Sequence, residues 1–177
     1  MGQIKNYPPV KLFMGFIFAN ELYFIKAKEI LINKFGTLDL ESKTIDFIYT
    51  DYYNKEMGQG LKRKFISFKK LIQPQILPDI KIFTNKLENK LSIEKRRNIN
   101  IDPGYLDMAK VILASTKDYS HRIYLRKGIF AEVTLFYQNK ELQPWPWTYP
   151  DYKTQDYREI FSKIRELYIQ QIKCLKK

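Results

Sequence analysis

The chain is poor in the side chains from which most metal and redox sites are built. Of its 177 residues, only Cys174 is a cysteine and only His121 is a histidine. A single thiol excludes an internal disulfide and a cysteine zinc cluster, and a lone imidazole disfavours a histidine metal site. No Gly-x-x-x-x-Gly-Lys-Ser/Thr sequence occurs, which excludes a P-loop.

Long apolar runs are missing as well. No stretch of about 18 apolar residues occurs, and residues 1–10 lack the basic, apolar and small-residue succession of a signal peptide. We therefore expect a cytoplasmic protein that does not enter a membrane. Because 45% of its 177 residues are hydrophobic, the chain can bury a core and is expected to form one domain.

Positive charge, in contrast, is in excess. The formal net charge of +12 favours a partner such as RNA or a nucleotide, because lysine and arginine neutralise phosphates. The alternative is compositional bias, since lysine, isoleucine, asparagine, tyrosine and phenylalanine are the residues that an AT-rich genome encodes most readily. Net charge informs on association and not on fold, so both explanations stay open.

The first hundred residues alternate between strand-like and helix-like patterns. Residues 12–18 are apolar on both faces, which predicts a central strand that is covered on two sides. Asn20 and Gly36 are suited to cap the helix that follows. The order β-α-β-β-α-β up to about Asp102 predicts an α+β fold with a ferredoxin-like core over 11–102. The other predicted elements of this core are strands over 43–50, 61–69 and 99–101 and a helix from Pro74 and Pro78 to Lys90.

Residues 103–177 are expected to extend this core. A short helix over 103–115 precedes a hairpin and a proline-rich segment, and a final helix is predicted over 155–173. Apolar residues at helical spacing give the final helix one apolar face, for which the open face of the sheet is the natural partner. These residues are Tyr157, Ile160, Phe161, Ile164, Leu167 and Tyr168.

Alternation defines the register of the hairpin at 117–134. A two-residue turn of Lys127 and Gly128 would mix the polar face with the apolar one, so we predict a three-residue loop that also contains Arg126. Gly128 then takes the positive-φ position. The resulting cross-strand pairs are Leu125–Ile129, Tyr124–Phe130, Ile123–Ala131 and Arg122–Glu132.

Four polar segments at predicted loop or strand ends are candidates for a functional site. The first is the loop 50–58. Its carboxylates Asp51 and Glu56 are suited to Mg²⁺, which prefers a few carboxylates together with ligand phosphates. Tyr53 is a candidate for stacking on a base. The alternative is a solvated connection between strands.

The second segment is 96–105. Asp102 before Pro103 predicts an N-cap with proline at the first helical position. The functional alternative is that this helix N-terminus binds an anion, with Arg96 and Arg97 meeting phosphates.

The third segment leads into the hairpin. Lys117, His121 and Arg122 together suit a phosphate clamp. Since an ordinary histidine titrates near neutrality, His121 is a candidate general acid or base with Glu132 or Asp151 as its partner. The alternatives are a structural histidine and, for Arg122 with Glu132, a plain cross-strand ion pair.

The fourth segment, 144–152, alternates prolines with aromatic residues. Proline keeps the backbone extended, so Trp147 and Tyr149 form either a strap over the core or a stacking platform for a base. Asp151, at the end of this segment, is a third candidate carboxylate for Mg²⁺.

Two predicted strands resemble RNA-recognition motifs in part. Residues 12–15 are similar to the shorter motif and residues 65–68 to the second half of the longer one, where aromatic side chains stack on bases. The final helix is expected to cover this face of the sheet.

Several short motifs extend over nearly the whole chain: 51–53 with 56–58, 83–85, 102–106, 117–118 with 121–125, 128–129 with 131–135, and 147–152. Together they resemble the bacterial "domain of unknown function 4416" family. Some members of that family carry the label GTP-binding protein, and the resemblance implies such a ligand here.

Three functions fit these observations. The first is binding of a phosphorylated ligand, either a nucleotide such as GTP or RNA, in a basic and aromatic pocket. The second is a metal-assisted phosphoester hydrolase or transferase that uses His121. The third is a non-catalytic interaction domain with Trp145 and Trp147 in the partner surface. Whether the polar segments converge on one concave pocket distinguishes among them.

Overall fold

A computed structural model describes residues 2–3 and 6–175, which form an α+β fold. Its strands are β1 (Lys11–Phe18), β2 (Leu38–Glu41), β3 (Ile45–Asp46), β4 (Lys62–Phe68), β5 (Ile99–Leu106), β6 (Lys110–Ser115), β7 (Arg122–Arg126), β8 (Ile129–Gln138) and β9 (Glu141–Pro144). Its helices are α1 (Glu21–Phe35), α2 (Asn54–Met57), α3 (Leu77–Lys90) and α4 (Gln155–Leu175), with single 3-10 turns at Pro74–Ile76 and Asp151–Lys153. Within the described residues, no helix has both the length and the apolarity that crossing a membrane requires.

All nine strands belong to one antiparallel sheet. The strand order is β2-β4-β1-β5-β6-β8-β7, with β3 beside β4 and β9 beside β8. All eight residues of β1 are buried, which confirms the prediction of a strand covered on both faces.

Helices pack on both faces of this sheet. Leu12, Met14 and Phe16 of β1 pack with α1 and α3, while Phe13 points to the other face and packs with α4. The rings of Phe13 and Phe161 lie 4.8 Å apart in an edge-to-face arrangement. The final helix therefore covers the open face of the sheet, as its apolar spacing predicts.

The caps predicted for α1 are confirmed. The Asn20 side chain accepts a hydrogen bond from the backbone N–H of Leu22 at 2.9 Å. Gly36 ends the helix with a φ of 99°, a conformation that glycine adopts without strain.

The helix predicted over 103–115 is wrong, because this segment is the hairpin of β5 and β6. Pro103 fits a strand here, since its nitrogen points away from β1 at a position where β6 does not pair with β5. Asp107 makes the turn, and its carboxylate accepts two backbone N–H groups at 2.7 and 2.9 Å. Asp102 is consequently a strand residue and not an N-cap, so the anion site predicted at a helix N-terminus does not exist.

The strand predicted over 43–50 is mostly wrong as well. Only the two residues of β3 pair with β4, and β2 forms where no strand was expected. The chain leaves the sheet at Phe47, because this ring packs with Met57 and Leu61 in a separate apolar cluster. Segment 47–60 therefore packs beside the sheet, against Ile17 of β1, and does not form a strand.

The hairpin of β7 and β8 keeps three predicted pairs, namely Arg122–Glu132, Ile123–Ala131 and Tyr124–Phe130. The three-residue loop is wrong, because Arg126 pairs with Ile129 across a two-residue turn. Both turn residues, Lys127 and Gly128, have positive φ, at 54° and 74°. A register shift at Leu125 absorbs the extra residue, so the short turn and the predicted alternation coexist.

Candidate functional site

The strands β5 and β6 separate at one end of the sheet. β6 pairs only with the last three residues of β5, which leaves the edge of β5 open at Ile101. Two side chains of α3 satisfy that edge: Glu88 Oε1 accepts from Ile101 N at 2.8 Å, and Lys81 Nζ donates to Ile101 O at 3.1 Å. The gap between the two strands therefore persists without leaving the backbone groups of Ile101 unpaired.

This gap is a cleft of about 750 Å³. The sheet contributes its floor, α3 one wall and segment 47–60 another, and segments 115–117 and 149–152 complete the lining. The lining has as many basic as acidic side chains: Arg63, Lys81, Arg97 and Lys117, and Glu88, Asp102, Glu132 and Asp151. A ligand thus meets a polar surface whose charges are largely balanced.

Arg63 of β4 is the most deeply buried cation of the floor, with 1% of its surface exposed. Its NH2 group donates to Tyr152 OH at 3.0 Å, and its guanidinium lies 3.4 Å from Asp102 and 3.7 Å from Asp151. Burial disfavours the charge, but the surrounding tyrosines and carboxylates raise the pKa of Arg63 above its ordinary value. Gly15 of β1 makes the room, because a Cβ there would lie 3.2 Å from NH2.

Asp102 of β5 links Arg63 to a second cation. Asp102 Oδ1 lies 3.5 Å from Lys81 Nζ, and Oδ2 accepts from Asn100 Nδ2 at 2.8 Å. Burial by itself would raise the pKa of Asp102, yet the neighbouring Lys81, Arg63 and Asn100 lower it below its ordinary value. Burial does raise the pKa of Asp151, where Arg63 offsets only part of the effect.

Glu132 of β8 brings a further carboxylate to the lining, with 1% of its surface exposed. Its Oε2 accepts from Arg122 Nε at 2.9 Å and lies 3.2 Å from His121 Nε2. Arg122 NH2 also donates to Tyr149 OH at 2.6 Å. His121 stacks on Trp147 with ring centroids 5.4 Å apart. His121 and Arg122 thus hold Glu132, while Glu132 and Tyr149 face the cleft.

Two cations stand at the sides of the cleft. Lys117 Nζ lies 3.4 Å from Tyr52 OH and 4.7 Å from the centre of that ring. Arg97 donates through Nε and NH2 to Glu56 Oε2 at 2.7 and 2.5 Å. The Arg97 guanidinium lies 5.7 Å from the centre of the Tyr53 ring. Segment 47–60 is therefore held to the rest of the cleft through these two basic side chains.

The predicted site residues fall into three groups. Those that line the cleft are Tyr53, Arg97, Lys117, Glu132, Tyr149 and Asp151. Those that contact a lining residue are Glu56, His121 and Arg122, whereas Trp147 contacts His121 and lies one residue further from the cleft. Asp51 and Arg96 do neither: Asp51 accepts from Asn54 Nδ2 at 2.6 Å, and Arg96 is exposed in a turn with Ile93.

The three carboxylates predicted for Mg²⁺ do not meet. Glu56 binds Arg97, Asp151 lies beside Arg63, and Asp51 is outside the cleft. Over residues 2–3 and 6–175, no group of three His, Cys, Asp or Glu side chains is arranged to hold a metal ion.

Sequence reasoning missed several lining residues. Lys81, Asn85 and Glu88 recur at i, i+4 and i+7 on α3, so they form a polar stripe that the helical period does reveal. Arg63 carries no such signal, because it stands between Lys62 and Lys64 in what reads as a solvated basic strand.

A comparison with protein families identifies the chain. The family model described as domain of unknown function (DUF4416) matches residues 8–168. The chain belongs to this family. The match confirms the resemblance seen in the sequence motifs. All residues that line the cleft lie within the matched range. No curated protein and no solved structure matches the chain.

In this DUF4416 family member, Glu88 is expected to couple stability to pH. Burial raises its pKa from 4.5 to about 7. As the pH rises from about 4.5 to about 7, the unfolded chain releases this proton before the folded chain does, so stability falls. We expect Glu88→Gln to gain on the order of 3 kcal/mol in unfolding free energy relative to wild type across this window.

Urea denaturation of both proteins at about pH 4.5 and about pH 7.5 measures this change. Glu29→Gln on the exposed surface of α1 is the control. A difference between Glu88→Gln and wild type that stays constant with pH would contradict the prediction.

Proposed function

We propose that the cleft binds a small phosphorylated ligand, and that a nucleotide fits it best. Lys117 carries this proposal. Within the described residues no carboxylate lies within 4.0 Å of Lys117, whereas Arg63, Lys81 and Arg97 each have at least one. A cation that lines a cleft without a counter-charge is suited to bind a phosphate.

Tyrosine rings support a nucleotide in particular. Tyr52, Tyr53 and Tyr149 line the cleft, Tyr52 beside Lys117 and Tyr53 beside Arg97, and aromatic rings in a cleft can stack on a base. Trp147 is less suited to this role, because it already stacks on His121 and on Trp145. We assign stacking to Tyr53 and Tyr149.

The size of the cleft favours a single nucleotide over RNA. A volume of about 750 Å³ lies in the range of small-molecule sites. The aromatic residues that resemble an RNA-recognition surface, Phe13 and Phe65, are fully buried beneath α4. They are therefore not available for stacking on RNA bases.

A second candidate is hydrolysis or transfer of a phosphoester. One observation favours it: His121 lies 3.2 Å from Glu132, which faces the cleft and is fixed by Arg122. Glu132 would then exchange a proton with the ligand. His121 would orient the Glu132 carboxylate and stabilise its charge. His121→Ala would have to abolish turnover.

We also infer that residues 11–106 form a ferredoxin-like unit. The strands β2, β4, β1 and β5 are neighbours in that order and antiparallel, and α1 and α3 pack on one face. On this interpretation the cleft lies where the added strand β6 departs from the edge of that unit.

Lys117→Ala tests nucleotide binding. Loss of one charge-assisted contact is expected to weaken binding at least about tenfold, since such contacts contribute roughly 1.5–3 kcal/mol. The measurement is the rise in melting temperature with a panel of nucleotides, including GTP and ATP, at low salt. Lys163→Ala, an exposed lysine of α4, gives the same change in charge away from the cleft.

If no nucleotide raises the melting temperature of the wild-type protein, the proposed function is wrong. If Lys117→Ala responds as wild type does, Lys117 does not meet the phosphate.

A further inference from the structure

The Arg97 guanidinium is oriented on one side by its own chain. Its NH1 group donates to Asn100 Oδ1 at 3.3 Å and lies 3.7 Å from Glu88 Oε2. The ring of Tyr53 lies against its face, with the centre 5.7 Å away. These contacts leave the edge formed by Nε and NH2 directed at a single partner.

That partner is Glu56 of α2. Both Nε and NH2 donate to the same oxygen, Glu56 Oε2, so the edge of Arg97 holds one oxygen of an anion. The two side chains are 26% and 43% exposed. An ion pair with this exposure contributes little to stability, so an added anion can compete with it.

We propose that Arg97, backed by Asn100, is an anion subsite of the cleft, and that Glu56 occupies it until the anionic group of a ligand displaces the carboxylate. This inference rests on the proposed function, because the anion is the phosphate of the ligand that the cleft binds. Asn100 acts as a positioning residue, because its Oδ1 accepts from NH1 and leaves the edge formed by Nε and NH2 to meet the anion.

Glu56, and not Glu88, is the partner that moves. Glu88 is 5% exposed and accepts the backbone N–H of Ile101, so its release would leave that group unpaired. Glu56 belongs to segment 47–60, which ends in two glycines with positive φ, Gly58 and Gly60. Burial also raises the pKa of Glu88 to about 7, which leaves Glu56 as the main counter-charge of Arg97.

Glu56→Gln tests this subsite. Removal of the internal carboxylate is expected to tighten phosphate binding about threefold to fivefold, the equivalent of up to about 1 kcal/mol. Arg97→Gln is expected to weaken it about tenfold. Asp46→Asn, which removes an exposed carboxylate paired with Lys62, controls for the general gain in positive charge. Calorimetric titration uses inorganic phosphate, GTP and ATP, with succinate as a carboxylate ligand.

The outcomes separate the two proposals. Tighter phosphate or nucleotide binding by Glu56→Gln than by Asp46→Asn supports the subsite. If wild type binds a nucleotide and Glu56→Gln binds it no more tightly than Asp46→Asn does, the subsite is wrong and the proposed function stands. If neither the wild-type protein nor Glu56→Gln binds phosphate or nucleotides, the subsite and the proposed function are both wrong. Tighter binding of succinate alone would contradict a phosphate ligand.

Discussion

Arg63→Met is expected to lower the free energy of unfolding by about 3–5 kcal/mol at neutral pH. Arg63 lies between the carboxylates of Asp102 and Asp151 and is 1% exposed. When the guanidinium is removed, solvent therefore does little to stabilise the charges of the two carboxylates. Two carboxylates then share the floor of the cleft with Lys81 as the remaining nearby cation. The cost comes from leaving charges uncompensated in a buried place, and not from losing a strong attraction.

The pH dependence identifies this cause. The difference between Arg63→Met and wild type should shrink as the pH falls from 7 towards about 3, because protonation removes the uncompensated charges. Lys62→Met, the neighbouring and more exposed residue of β4, is the matched control. Chemical denaturation across this pH range measures both variants. A loss of stability that does not depend on pH would mean that Arg63 acts through packing alone.

Gly104→Ala is expected to destabilise the fold by roughly 1–3 kcal/mol, towards the upper end of the usual cost of overpacking. A Cβ at this position would lie 2.3 Å from the carbonyl oxygen of Ile112 and 2.5 Å from the ring of Phe13. Because the first of these atoms belongs to the backbone of β6, the strand itself has to shift. The displaced strand borders the cleft.

Thermal and urea unfolding measure this effect, and Gly2→Ala is the control because no residue that the structure describes lies within 4 Å of a Cβ there. Should Gly104→Ala unfold like wild type, the close approach of β5 and β6 at this point would be wrong.

Local patterns predicted those elements whose determining partners are near in sequence. Asn20 and Gly36 end α1 as expected, and the pairing of Arg122 with Glu132 follows from the alternation of two adjacent strands. The sequence Asp102-Pro103 misled because it commonly begins a helix. A strand accepts it here only because β6 has left that edge of β5, and this departure is a property of the assembled sheet.

The same limit applies to the site. Lys117, Glu132 and Tyr149 could be chosen because polar residues at strand ends and in loops commonly form sites, and all three line the cleft. Arg63 could not be chosen, since the residues that surround it, such as Gly15, Asp151 and Tyr152, lie far from it in the sequence. No periodicity within β4 distinguishes Arg63 from the lysines on either side of it.

The unpaired edge of β5 keeps the cleft open. Lys81 and Glu88 prevent a strand from pairing here, because they hydrogen-bond to the carbonyl and the amide of Ile101 that a neighbouring strand would otherwise use. The two strands therefore do not pair at this end of the sheet. The cavity is formed when the protein folds. Binding does not require two strands to separate, which lowers its free-energy cost.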